Sequence, residues 1–359
     1  VYQSDGIYVV QISGRSSSFI LGSGASTTSN KRKLVRCLSL GDIGATNLIN
    51  AFTNCVNLIE CPTSLPAGTF MLQGFFQGCA SFNHPNVCKW DTSTVTNMAQ
   101  VFNNATAFNQ PIGSWNTSLA TTMQGMFTGA PSFNQPLGNW DTSRVTNFGG
   151  IFNGATSFNQ QIGGWDTSSA TRMSGAFSSA LAFQQTLAGW NVSNVYLIFQ
   201  MFVNSRYAQD VSAWDIRKSV SLASTFPATW GNANYSAALI AWAALPDSDL
   251  RVQSITAFAA QGANTRVSAA DHGMVTGSRV NISGTTNYNG NYDVLANTVG
   301  SFDIATPFVA NDATGTMRHL RSRNVPLGVG TLKYSAAAAN ARAQLINDYG
   351  WVITDGGQE

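Results

Sequence analysis

Asp91, Asp141, Asp166 and Asp215 each follow a tryptophan, so carboxylates recur along the chain at intervals of 50, 25 and 49 residues. Such a row could serve acid–base catalysis or bind calcium. The same slot holds Asn116 and Asn191, which do not ionise. What Asp and Asn share is a short acceptor that closes an Asx turn on the following amides, and the Thr-Ser that follows in most copies reinforces it. The pairs Asn109/Gln110, Asn134/Gln135 and Asn159/Gln160 read as polar ladders that satisfy backbone groups at a bend, with a sugar-binding comb as the alternative. Only Glu60 and Glu359 are glutamates, so a glycosidase would need an aspartate pair. Asp247 and Asp249 fall in LPDSDL, read as a solvent-exposed loop.

Metal and nucleophile chemistry finds little to use. His84, His272 and His319 are scattered, and no HExxH, CxxC or calcium-loop pattern occurs. GSGAS (22–26) lacks the third glycine of a dinucleotide fingerprint. No catalytic residue, metal or cofactor is expected. The five cysteines, Cys37, Cys55, Cys61, Cys79 and Cys88, all lie in the first quarter of the chain. Cys55 and Cys79 take the slot of Ala105, Ala130, Ala155 and Ala180, and Cys88 that of Gly113, Gly138 and Gly163, so cysteine reads as a small buried residue. The odd count leaves at least one thiol unpaired, and a Cys55–Cys79 bridge between neighbouring repeats stays open.

These residues are positioned by a repeat. Trp90, Trp115, Trp140, Trp165, Trp190 and Trp214 recur at intervals of 25, 25, 25, 25 and 24. Phe102, Phe127, Phe152, Phe177 and Phe202 keep the same period, and Phe82, Phe108, Phe133, Phe158 and Phe183 form a third series. One copy holds too few apolar residues for its own core, so neighbours must stack and share these side chains. The tryptophan column could instead be a stacking platform for glycans or bases; its strict period beside Ile or Leu favours core. The i,i+4 spacing of Met98 with Phe102 and Met123 with Phe127 predicts one helical turn per rung. Gly113, Gly138 and Gly163 suit a tight bend before the tryptophan. Charged residues make only 10% and net charge is +2, which argues against a nucleic-acid binder. No apolar run approaches the roughly 20 residues of a membrane-spanning helix, so no membrane insertion is expected.

FNQPIGSWNTS, FNQPLGNWDTSRVTNF and FNQQIGGWDTSSATRM resemble the repeats of BspA-like leucine-rich-repeat surface proteins, found on bacterial and protist surfaces and in large phages and viruses. The resemblance covers about 1–252 and 323–359. It implies an α+β repeat solenoid, leucine-rich-repeat-like, with about 8 rungs over 40–230 and a β-rich N-terminal cap over 1–39. A helical C-terminal cap is implied over 231–252 plus 323–359, with Ser236 and Ser335 as helix N-caps. Between the cap segments, 253–322 alternates apolar and polar residues around turn signals, the pattern of a small inserted β-barrel or sandwich. DHGMVTGSRVNISGTTNYNGNYDV resembles the small β module named after the first catalytic-cysteine half-domain of ubiquitin-activating enzymes, common in phage structural proteins. No cysteine follows Cys88, so thioester chemistry is excluded there, and His272 reads as structural.

The function expected is a non-enzymatic structural and recognition protein of a virion surface: a phage or viral fibre, tail or decoration protein serving assembly or host attachment. The alternatives are a bacterial or protist cell-surface adhesin and a fibre-associated polysaccharide-degrading enzyme. Expected partners are other virion or surface proteins and a host glycan or receptor, with the chain in a homo-oligomer or multicopy array. Arg144, Arg172 and Tyr196 are the candidate contact face. Lys31, Arg32, Lys33 and Arg36, and again Arg318, Arg321 and Arg323, read as solvated loops or a docking surface.

Overall fold

The fold is that of a computed structural model. It describes residues 34–40, 44–245, 248–269, 276, 279–298, 301–311, 315–320, 325–347 and 349–359, with backbone alone at 248–253, 279 and 318–320. The expected N-terminal cap therefore lies almost wholly outside the described residues, as do GSGAS, Lys31–Lys33, Asp247, His272, Arg321 and Arg323, and the side chains of Asp249, Arg318 and His319.

Successive repeats meet at single parallel bridges: Asn47–Met71–Asn97–Thr122–Asn147–Arg172–Leu197, steps of 24 to 26 residues. Around each bridge four backbone bonds tie one coil to the next. Met98, Gln100, Phe102 and Asn104 donate N–H to the carbonyls of Thr122, Gln124, Met126 and Thr128 at 2.7–3.1 Å. Within the coil, Met126 N–H bonds Met123 O and Ala130 N–H bonds Phe127 O, at 3.2 and 3.1 Å. These are two consecutive β-turns. The third residue of each is left-handed: Gly125 (φ 61°) and Gly129 (φ 64°) here, Gln100 (φ 58°) and Asn104 (φ 57°) one coil earlier. A positive φ at that place marks a type II turn, which glycine and asparagine fill at low cost.

This overturns the helical turn read from the Met-to-Phe spacing. Two turns in tandem also return the chain to one face every four residues, so Met123 and Phe127 are both buried without a helix. It overturns the fold class with it. Among the described residues the repeat region holds two short 3-10 helices, Pro85–Lys89 and Ala228–Trp230, and no α-helix. Most regular secondary structure is antiparallel β-sheet, accompanied by two short α-helices. The chain is thus not a closed α+β leucine-rich-repeat-like solenoid with a helical cap.

The coils share an aromatic spine. Phe102, Phe127, Phe152, Phe177 and Phe202 stack at 5.6–5.8 Å between ring centroids. Phe108, Phe133, Phe158, Phe183 and Tyr207 form a parallel column at 5.7–6.0 Å. Inside one coil the columns touch, Phe102 on Phe108 at 3.7 Å. Each fully buried phenylalanine contributes about 1.5–3 kcal/mol relative to exposure, so shared stacking supplies the core that one copy lacks.

Helix α1 (Asn232–Ala244) follows the coils. Strands β1 (Ser248–Ser254), β2 (Ala257–Gln261), β3 (Asn264–Ser268), β4 (Arg279–Ser283), β5 (Gly290–Asn297), β6 (Ser301–Ile304) and β7 (Thr316–Leu320) then form one antiparallel sheet ordered β1-β7-β4-β5-β6-β3-β2. Its core, including Phe258 stacked on Tyr288 at 4.1 Å, is a separate cluster from the spine. After it the chain rejoins the coils: Leu222 bridges Leu327, and β8 (Pro326–Gly328) pairs in parallel with β9 (Val352–Thr354). Helix α2 (Ala339–Asn347) lies between them. The segments read as a helical cap therefore carry the parallel strands β8 and β9 beside the two short helices. Ser236 sits inside α1 and accepts the Ser335 N–H at 2.9 Å, while Gly231 is the N-cap; Ser335 is the N-cap residue of the 3-10 turn before α2 but makes no side-chain cap bond. Asp355 joins the pieces, accepting from Tyr235 Oη at 2.6 Å and Arg342 Nε at 2.8 Å.

Candidate functional site

The repeated aspartates hold turns. Oδ1 of Asp91, Asp141 and Asp166 accepts the N–H of Ser93, Ser143 and Ser168 at 2.9–3.0 Å, and Asn116 and Asn191 do the same for Ser118 and Ser193 at 3.1 Å. The serine hydroxyls and amides hold these three exposed carboxyls below their ordinary range. A general acid needs the opposite shift. Asp215 differs: burial pushes its pKa up, but the Arg217 guanidinium and amide outweigh that and the net shift is downward.

The amides form a ladder. Asn83 Oδ1 accepts the Asn109 N–H, Asn109 the Asn134 N–H, Asn134 the Asn159 N–H and Asn159 the Gln184 N–H, at 2.9–3.0 Å. Gln110, Gln135, Gln160 and Gln185 donate Nε2 to the same oxygens. The indoles lie inside: the six repeat tryptophans are 1–4% exposed. Trp115, Trp140, Trp165 and Trp190 each donate Nε1–H to the carbonyl 28 residues upstream at 2.9–3.1 Å.

No disulfide joins any of the five cysteines, and Cys55, Cys61 and Cys79 are buried. Burial pushes the Cys37 thiol up to about 11, that of Cys61 up to about 12 and that of Cys79 well above 9.0. Such thiols stay protonated, the opposite of an activated nucleophile. His84 accepts the Asn86 N–H and caps the 3-10 turn that replaces the open bend at Cys88. Among the described residues no three His, Cys, Asp or Glu side chains are grouped to hold a metal ion.

The candidate contact face divides. Arg172 Nε donates to Tyr196 Oη at 3.0 Å and its guanidinium lies 5.8 Å from the ring centroid. Arg144, also exposed, sits instead beside Asp141, whose charge it helps to stabilise. Arg172 also borders a shallow groove of about 460 Å3 that crosses several coils, with Gln124, Gly150, Ser174 and Phe199 among its lining. Sequence reasoning missed Ser174, Phe199 and the groove. The signal was present in the glycine run Gly125, Gly150, Gly175, which reads locally as turn chemistry alone.

A family model described as Mycoplasma protein of unknown function, DUF285, matches residues 69–162 and again 135–238. The chain is similar to that family over the coils and the start of α1. The match is consistent with a BspA-like surface protein, and the family description names no activity. No curated protein and no solved structure matches the chain. Among the described residues no helix is long and apolar enough to cross a membrane.

Proposed function

We propose that the chain is a non-enzymatic recognition protein displayed on a surface, presenting contact groups along an aromatic-cored stack. One observation carries the reading: the recurring carboxylates, amides and indoles are each engaged in holding a turn, a ladder or the spine. Chemistry is left to side chains between those anchors, which suits many weak contacts better than a reaction centre. Partners in this reading are a host glycan or neighbouring surface subunits, and display in many copies raises affinity by avidity. The resemblance of 253–322 to phage structural modules supports a virion surface as the setting, in a fibre, tail or decoration role. A cell-surface adhesin is the second reading, favoured by the match to a Mycoplasma family.

Gold-labelled antibody on intact virions and on intact cells tests both settings. Label on particles supports the first and label on cell surfaces the second; label confined to cell interiors overturns both. New reducing ends released from host glycans by the pure protein would overturn the non-enzymatic reading.

A further inference from the structure

The third residue of the first turn in each coil is left-handed, and along the stack it runs Gln100, Gly125, Gly150, Gly175, Gln200. Gln100 and Gln200 adopt φ 58°, and Asn50 and Ser224 take the same place elsewhere at φ 58° and 50°. The conformation therefore does not demand glycine. Packing does not demand it at Gly150 or Gly175, whereas a Cβ on Gly125 would meet Gln100 Cγ and Thr128 Oγ1 at 3.3 Å. A Cβ on Gly175 would meet nothing within 4 Å, and one on Gly150 nothing nearer than Thr128 Oγ1 at 3.5 Å. Three consecutive coils lack a side chain where the coils on either side carry glutamine. Gly125 and Gly150 of this run line the groove of about 460 Å3, inside the range of about 300–1,000 Å3 typical of small-ligand sites.

Its walls have a definite chemistry. Asn147 Nδ2 donates to Gln124 Oε1 at 3.1 Å, so two amides project together. Ser174 Oγ is buried without a hydrogen-bond partner. Phe199 is 37% exposed, an aromatic ring at the groove edge. Arg172 is held by Tyr196 through Nε alone, its terminal nitrogens facing no carboxylate among the described residues, and no acidic residue lines the groove.

We propose that this groove binds a carboxylate-bearing sugar, such as a terminal uronic or sialic acid. The inference rests on the surface-recognition reading and deepens it. The guanidinium takes the carboxylate in a charge-assisted contact. The Gln124 and Asn147 amides both donate and accept, as vicinal hydroxyls require, and the Phe199 ring covers an apolar sugar face. The lone cation in a groove without acids sets the preference for an anionic over a neutral sugar.

The test is an array of uronate- and sialate-terminated oligosaccharides beside their neutral counterparts, followed by calorimetry on the tightest binder. An acidic member is expected to bind about tenfold or more tighter than its neutral counterpart, the value of one charged hydrogen bond. Arg172→Gln should weaken it by about the same factor. Gly150→Asn fills the floor with a residue this backbone position accepts at Asn50, so it should abolish binding while the thermal melt holds. Binding of no acidic member, equal binding of neutral sugars, or unchanged binding in either variant overturns the proposal. A groove that binds nothing, in a protein gold labelling places at a surface, rejects this inference and leaves the surface reading standing.

Discussion

At the residue scale, the polar side chains between the anchors stabilise turns, and two measurements read how strongly. Asp91, Asp141 and Asp166 have folded pKa values below the ordinary 3.8 because serine hydroxyls and amides favour their charged form. A depressed folded value means stability present above the unfolded pKa and lost as pH falls through the folded one. Replacing all three with asparagine, which fills the same turn at Asn116 and Asn191, should leave the urea midpoint at pH 7 nearly unchanged and flatten its decline below pH 3.8. An unchanged acid limb would show that the turns contribute nothing through charge. Trp140 separates packing from hydrogen bonding. Its acceptor, Ile112 O, also receives the Trp115 N–H at 3.1 Å, so Trp140→Phe leaves no orphaned carbonyl. That change should cost about 0.5–1.5 kcal/mol, against about 3–5 kcal/mol for Trp140→Ala, which opens a cavity in the spine. Similar losses for the two would place the stability in the bond.

At the element scale, the period was plain in the sequence because aromatic side chains are too costly to expose and here arrive once per coil. What the coil is made of was not. Met123 and Phe127 at i,i+4 fit a helical turn and a pair of tandem β-turns equally well, and the left-handed positions that decide between them are filled by four residue types, Gly, Asn, Gln and Ser. The groove was hidden for the same reason: Gly150 looks like a turn residue until Gln100 and Gln200 are seen in its conformation. Glycine at the other bend is a different matter. A Cβ on Gly163 would lie 2.6 Å from Thr186 O, a backbone atom of the next coil, at an ordinary φ. Gly163→Ala should therefore cost about 1–3 kcal/mol from forced coil separation. Gly175→Ala meets open space and carries only the left-handed penalty of about 1–2 kcal/mol. Urea unfolding of each variant against the parent chain reads the two costs separately, and no loss at Gly163→Ala would mean that the Thr186 carbonyl yields without cost.

At the scale of the whole molecule, the stack is continuous in space where it is broken in sequence. Leu222 N–H donates to Pro326 O at 2.9 Å, and Val325, Leu327, Val329 and Trp351 belong to the same buried cluster as the repeat aromatics. Side chains fasten the join from both directions: Asn232 accepts the Lys333 N–H at 2.8 Å, and Tyr235 reaches Asp355. By contrast the core between Ile255 and Met317 is built from the strands and the turns that join them, and shares no buried residue with the spine. The last coils thus draw their order from residues 222–245 and not from the sheet between. Replacing residues 246–324 with a Gly-Ser linker of about 10 residues, spanning about 17 Å on average, should leave a folded stack. Its near-ultraviolet circular dichroism, dominated by tryptophans on the spine, should match that of the full chain, and its urea midpoint should hold. Loss of that signal, with Trp230, Trp242 and Trp351 becoming accessible to quencher, would mean that the sheet is needed to bring the two halves of the join together.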